Sequence, residues 1–462
     1  FICVSVTAYA GWNVVFRRIW DGMSHFLLFG ILLMGLIAIG IYFGWHNLYH
    51  WADPQTAATD PVIKGKSSFL NKNFYTFAGL GFLVVWFFFA KKMRDLSIDE
   101  DDHGDSRFVH YKSMKFYAAL FLPIAGFSSA AAIWLWIMSI DPHWYSTMFA
   151  WYSTASAWLG ALALTVMIII YLKSQGYLEY VTYDHLHDVG KYLFGISVFW
   201  TYLWFDQFML IWYANNGEET IYFKERMENY PVLFWGNLLM NFVAPFLILM
   251  RNDTKRKFGT MFFVAVIVFF GHWWDYFYMI KPGARIAAHE AREMAEGVQH
   301  KVSLNTTSEL HTPGNIQIAL SKAGGDQTQE PAADKPAEKP AEGQAAPQES
   351  ANDAEHPGAG QQSATASDEP ATPEHGGETH AEGGEEHGES VAEGPGSFKL
   401  GYTIPGLEEI GIMLGFLSLF LFFVFTQLER ASLVPLKDPY LEESLHHETG
   451  ANIESEGGGD HH

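Results

Sequence analysis

Three groups of polar side chains stand in or beside runs that are otherwise apolar. Asp206 and Gln207 lie about two helical turns inside the end of GKYLFGISVFWTYLWFDQFMLIWYANNGEETIYF. His272 and Asp275 are three residues apart in FFGHWWDYFYMIKPG and so share one helix face. Asp141 and His143 flank a proline in WLWIMSIDPHWYSTMFAWY, a very short turn between two apolar runs. An ionisable side chain inside a membrane span is costly unless it is paired, faces a cavity or takes up a proton. Asp206 is the costliest of these to leave alone, because burial disfavours the charged form. It reads either as a proton relay or as a structural interhelical hydrogen bond. His272 and Asp275 would continue a proton path or pair with Asp206. Asp141 beside His143, among Trp134, Trp136, Trp144 and Tyr145, offers the chemistry of quinol oxidation. One group takes a hydroxyl proton while the other holds or relays it. The plainer alternative is an N-cap at Asp141, with Pro142 in the first turn of the next helix, set in an interfacial aromatic belt. Glu218 and Glu219 follow the end of the Asp206 run and form either the outer mouth of a polar path or a solvated loop.

Other clusters carry weaker signals. His46, His50, Asp53 and Asp60 fall in HNLYHWADPQTAATDPVIKGKSSFLN, where an ordered interface loop is a better reading than a metal site. Asp184, His185, His187 and Asp188 in YDHLHDVGK read as a solvated loop before they read as a proton funnel, and Lys191 can snorkel. A haem held by two histidines needs a facing pair, but His25 and His46 lie near opposite ends of one run. The lone cysteine, Cys3, excludes structural disulfides, thiolate-held iron–sulfur clusters and covalent c-type haem. No covalently bound cofactor or metal is therefore expected in this chain. If it serves electron transfer, partners carry the electrons.

The elements that must position these groups are apolar runs long enough to cross a bilayer, about 20 residues each. Eight are present, roughly 23–45, 74–90, 114–138, 144–172, 189–214, 231–250, 258–280 and 406–426, with a partial run at 1–12. They are continuous rather than alternating, which argues for helices over a closed barrel. The expected fold is an all-α polytopic bundle. Residues 1–281 form its main body, 282–397 an insert, 398–430 the last span and 431–462 an acidic tail. The insert contains no aromatic residue and holds roughly seventeen acids against two lysines between Gly324 and Gly396. Its Pro/Ala/Glu/Gly/His composition reads as a disordered external spacer. Insert and tail together account for essentially all of the formal charge of −22, which argues against a nucleic-acid partner. Arg and Lys gather on one side of the alternating runs, at Arg17, Arg18, Lys91, Lys92, Arg94, Arg107, Lys112, Lys173, Arg251, Lys255, Arg256, Lys257, Arg430 and Lys437. That side is expected to be cytoplasmic, with the C-terminus on it and the insert in the periplasm.

IMSIDPHWYSTMFAWY and IYLKSQGYLEYVTYDHLHDVGKYLFGISVFWTYLWFDQFMLIWYANNGEETIYF resemble the NrfD/polysulfide-reductase membrane-subunit superfamily. Within it they are similar to the ActF-type subunits of alternative complex III, a bacterial quinol:cytochrome c oxidoreductase of the inner membrane. The loop HNLYHWADPQTAATDPVIKGKSSFLN and the ending VFTQLERASLVPLKDPYLEES fit the same group, so the likeness covers the chain apart from the insert. The resemblance implies ten helices built from two four-helix bundles plus extras, with the first one and a half missing here. It implies a proton path through a bundle, onto which Asp141, His143, Asp206, His272 and Asp275 map by position. It also implies quinone or menaquinone as a ligand, with haem c and iron–sulfur clusters in partner subunits. Those partners are a multihaem cytochrome c subunit, an iron–sulfur subunit, a sister NrfD-like subunit of ActC type, smaller membrane and monohaem cytochrome subunits, lipids and a terminal oxidase. The sister subunit is the stronger candidate for the productive quinol site. The long acidic insert departs from the pattern and puts the external contacts in doubt. The rival reading is a secondary transporter, although the sequence shows no inverted repeat and its evident helix break lies at the membrane surface. A purely structural membrane anchor is the third.

Overall fold

Proline, asparagine, aspartate and glycine set several of the helix boundaries. Asp53 and Asp60 cap two short helices that each begin with proline, α4 (Pro54–Thr59) and α5 (Pro61–Gly65). They follow α1 (Ile2–Thr7), α2 (Arg17–Ser24) and α3 (Leu27–Phe43), the last ended by Gly44 at φ 67°. The Asn71 side chain accepts the Phe74 N–H at 2.8 Å and starts α6 (Lys72–His103). Then come α7 (Val109–Trp136), α8 (Thr147–Ser174) and α9 (Tyr183–Ala214), which ends on left-handed Asn215. After α10 (Gly217–Asn229), Pro231 opens α11 (Pro231–Leu238). A π-helical turn, Leu239–Val243, joins α11 to α12 (Ala244–Leu249). Pro245 explains that turn: proline lacks an N–H and its ring clashes with the carbonyl four residues back, that of Asn241. The chain continues through α13 (Asn252–Lys255), α14 (Phe258–Ala295), α15 (Leu407–Leu428) and α16 (Leu441–Leu445).

The computed structural model describes residues 1–295 and 404–449. No strand occurs among them, and eight helical stretches are long and apolar enough to cross a membrane. These match the eight expected runs, and the protein is an all-α, multi-pass membrane bundle. The first stretch begins earlier than its apolar run, at Gly11, because a 3₁₀ turn and α2 extend it. α14 runs unbroken through Pro282 to Ala295, past Ile280 where its apolar run ends. The insert reading for residues 296–397 and the last residues of the tail, 450–462, lie outside the described residues.

α8 is the central helix and α14 its main partner. Small residues on α8 let α14 approach: a Cβ at Gly160 would stand 3.7 Å from the His272 Cβ. α15 is peripheral. It leans on α2, and Phe420 and Phe423 stack edge-on against Phe26 and Phe29. Residues after α15 fold back over one end of the bundle, here called the tail end. The loops 44–71, 137–146 and 215–230 make the other, the loop end.

Candidate functional site

Four helices converge on one acid. Asp275, on α14, is fully buried. Its Oδ1 accepts from the Tyr152 hydroxyl of α8 and from Asn237 Nδ2 of α11 at 2.8 Å. Its Oδ2 accepts from Trp200 Nε1 of α9 at 3.0 Å. One turn earlier on α14, His272 is also buried. Its Nδ1 is 2.9 Å from the Ser156 hydroxyl and 4.0 Å from Asp275 Oδ2, while its Nε2 has no partner. The Trp200 ring stands edge-on to the imidazole. Asn241, on the π turn, extends the network by donating to Asn237 Oδ1 at 2.7 Å and to the Gly271 carbonyl at 2.9 Å. A Cβ at Gly271 would sit 2.2 Å from Asn241 Oδ1, so only glycine permits that approach.

Among the described residues, neither Arg nor Lys forms an ion pair with Asp275. Dipoles alone support its charge. Burial opposes ionisation and three donors favour it.

The expected pair of His272 with Asp275 on one face is present. Among the described residues the link to Asp206 is absent: Asp206 is half-buried on α9 with no hydrogen bond or ion pair there, and its neighbour Gln207 is the buried one. Trp200, two turns earlier on α9, takes the place intended for it. Tyr152, Ser156, Trp200, Asn237 and Asn241 were not singled out from sequence. The signal that could have found two of them is an asparagine pair four apart within PVLFWGNLLMNFVAPFLIL.

The loop-end constellation is rearranged as well. Asp141 does not cap the next helix. It ends the 3₁₀ turn Met138–Ile140, and α8 starts only at Thr147. His143 pairs with Asp60 at 2.6 Å instead of Asp141. Burial acts to raise the Asp60 carboxyl, but its hydrogen bonds with His143 and with the Ile63 and Val62 amides outweigh this and hold it below the usual carboxylate range. Lys66 donates to the Pro142 carbonyl at 2.6 Å, and burial lowers its ammonium despite Asp141 and Asp60 nearby. Trp144 is buried and stacks on Tyr222 at 3.9 Å between centroids. Glu218 and Glu219 occupy the first turn of α10, where the helix dipole favours acids, with Glu218 exposed.

The YDHLHDVGK cluster is corrected too. It is not a solvated loop. Asp184, His185, His187 and Asp188 are all buried at the tail end. Asp184 bonds Arg256 at 2.9 Å and the Thr449 hydroxyl, and Asp188 bonds His447 at 2.7 Å and Lys191. His185 Nε2 lies 2.9 Å from the Ser444 carbonyl. Arg17, counted as a side-defining charge, is likewise buried against Asp438. Among the described residues no three His, Cys, Asp or Glu side chains converge as a metal site.

The fold and this site define a multi-pass helix bundle with a dipole-solvated acid, Asp275, where four of its helices meet. No family model matches the chain, and no curated protein matches it.

Proposed function

We propose that this chain is a membrane subunit of a respiratory quinol oxidoreductase of the alternative complex III type, passing electrons through partner subunits to cytochrome c or another external acceptor. Its own part is to scaffold the membrane arm and to handle protons at Asp275 and His272. The polar groups Asp141, His143 and Asp60 at the loop end would meet a quinone headgroup, and in this reading that end faces outward from the inner membrane. The carrying observation is the fully buried Asp275, bonded by three donors from three other helices and facing His272. The motif resemblance supplies the assembly. Oxidation of a quinol to a quinone releases two electrons and two protons. The electrons go to the partners' haem and iron–sulfur centres, and the protons must be taken up by side chains or water.

Asp275→Asn in the assembled complex tests the reading. Quinol:cytochrome c turnover and protons released per electron should both fall. Wild-type values for both would leave only a scaffold. One observation favours the transporter as a second reading: the π turn Leu239–Val243 interrupts a span near its middle. Co-purification separates the two, because a transporter would elute without stoichiometric c-type haem.

A further inference from the structure

Arg226 is a buried cation with no acid beside it. It sits on α10 at the loop end and is 3% exposed. Nη1 donates to the Tyr222 carbonyl at 3.1 Å and Nη2 to the Met279 carbonyl at 3.3 Å, while Nε has no partner. The guanidinium lies 3.3 Å from the Tyr222 ring centroid and 5.4 Å from that of Tyr278. Among the described residues no carboxylate pairs with it, whereas Arg17 and Arg18, equally buried, pair with Asp438 and Asp101. An uncompensated buried charge is unfavourable and needs a reason.

Its position supplies one. Met279 is four residues beyond Asp275 on α14, about 6 Å along the axis toward the loop end. Rings connect the two levels, from Tyr152 through Phe149 to Tyr222, with Trp144 stacked on the far face of the set. Tyr222 and Tyr278 hold the guanidinium by their faces, so it cannot easily swing aside. A fixed positive charge across a narrow polar path repels protons and other cations.

We infer that Arg226 is an electrostatic plug that closes the Asp275 cluster to protons from solvent at the loop end. The inference rests on Asp275 being a protonatable relay. Proton movement past this point then requires Arg226 and Tyr222 to shift.

The test is passive proton flux across vesicles containing the intact complex, read with an entrapped pH dye under a potassium diffusion potential. Wild type should be tight. Arg226→Gln should leak at least tenfold faster, Arg226→Lys should remain near wild type, and adding Asp275→Asn to Arg226→Gln should restore tightness. Tyr222→Leu, which removes the supporting face, should leak to an intermediate degree and serves where the glutamine variant does not assemble. Tight vesicles from Arg226→Gln, or from Tyr222→Leu in its place, overturn the plug. So does a leak that persists in the double variant, since it would bypass Asp275. The relay itself fails separately, if Asp275→Asn alone leaves turnover and proton release unchanged.

Discussion

Two polar clusters are buried at different levels of the same bundle, and they are solvated in opposite ways. Around Asp275 one acid is met by a phenol, an amide and an indole, with the His272 imidazole 4.0 Å away and neither Arg nor Lys bonded to it. At the tail end four acids meet a cation: Asp438 with Arg17, Asp101 with Arg18, Asp184 with Arg256, and Asp188 with Lys191 and also His447, while Glu100, among the described residues, accepts only the Tyr111 N–H. Counter-charge locks a group in its ionised state and makes it a fastener. Dipoles leave the protonation state open. The lesson is that burial alone does not mark function in a membrane protein; the kind of partner does.

Substitutions can break that contrast. The largest effect should come from Asp275→Asn, which keeps the shape but removes the exchangeable charge. Proton-coupled turnover of the assembled complex should fall by about a hundredfold, the lower part of what a positioned acid–base group contributes, with a modest drop in thermal midpoint because one buried donor then faces an amide N–H. Asp438→Ala should do the reverse. It strands the buried Arg17 and should cost roughly 3–5 kcal/mol of stability, read as a lower unfolding temperature, while turnover per folded complex stays normal. If Asp438→Ala changed turnover in the still-folded complex, the division between fastener and relay would be wrong.

Asp206→Asn sharpens the comparison, because Asp206 is acidic and lies within a span yet joins neither cluster. Its stability change should stay within about 0.5 kcal/mol and its proton release should be that of wild type. The smallest effect concerns Asp60. Its carboxyl is depressed in the folded state, so its contribution is complete above the unfolded value of about 3.9 and fades as pH falls through the lower folded value. Protease nicking of loop 44–71 should therefore be slow at pH 5 and faster near pH 3, and Asp60→Asn should nick readily at both.

The spans were legible because an apolar run of bilayer length has few other fates. The His272–Asp275 spacing was legible because helical geometry fixes which residues share a face. What surrounds them was not. Tyr152 and Trp200 are common in interfacial belts, and nothing in their local sequence says that they point at an acid more than seventy residues away. The His143–Asp60 pair spans 83 residues, and Asp141, the nearer acid in sequence, was a decoy. The tail-end cluster was misread for the same reason. YDHLHDVGK looks like a solvated loop until residues 438–449, about 250 positions later, cover it. Asp206 was overvalued because depth along a helix was legible and rotation about its axis was not.

The covering stretch has a bearing on how the protein is made. Residues 432–449 leave the ribosome after all eight spans, yet Ser444 and Asp438 bind the turn at Trp12 and Val15 and the helix at Arg17, more than 400 positions earlier. Newly inserted helices must therefore wait in the bilayer with Arg17, Asp184 and Asp188 still hydrated at the surface. Closure of the bundle waits on the synthesis of residues 432–449.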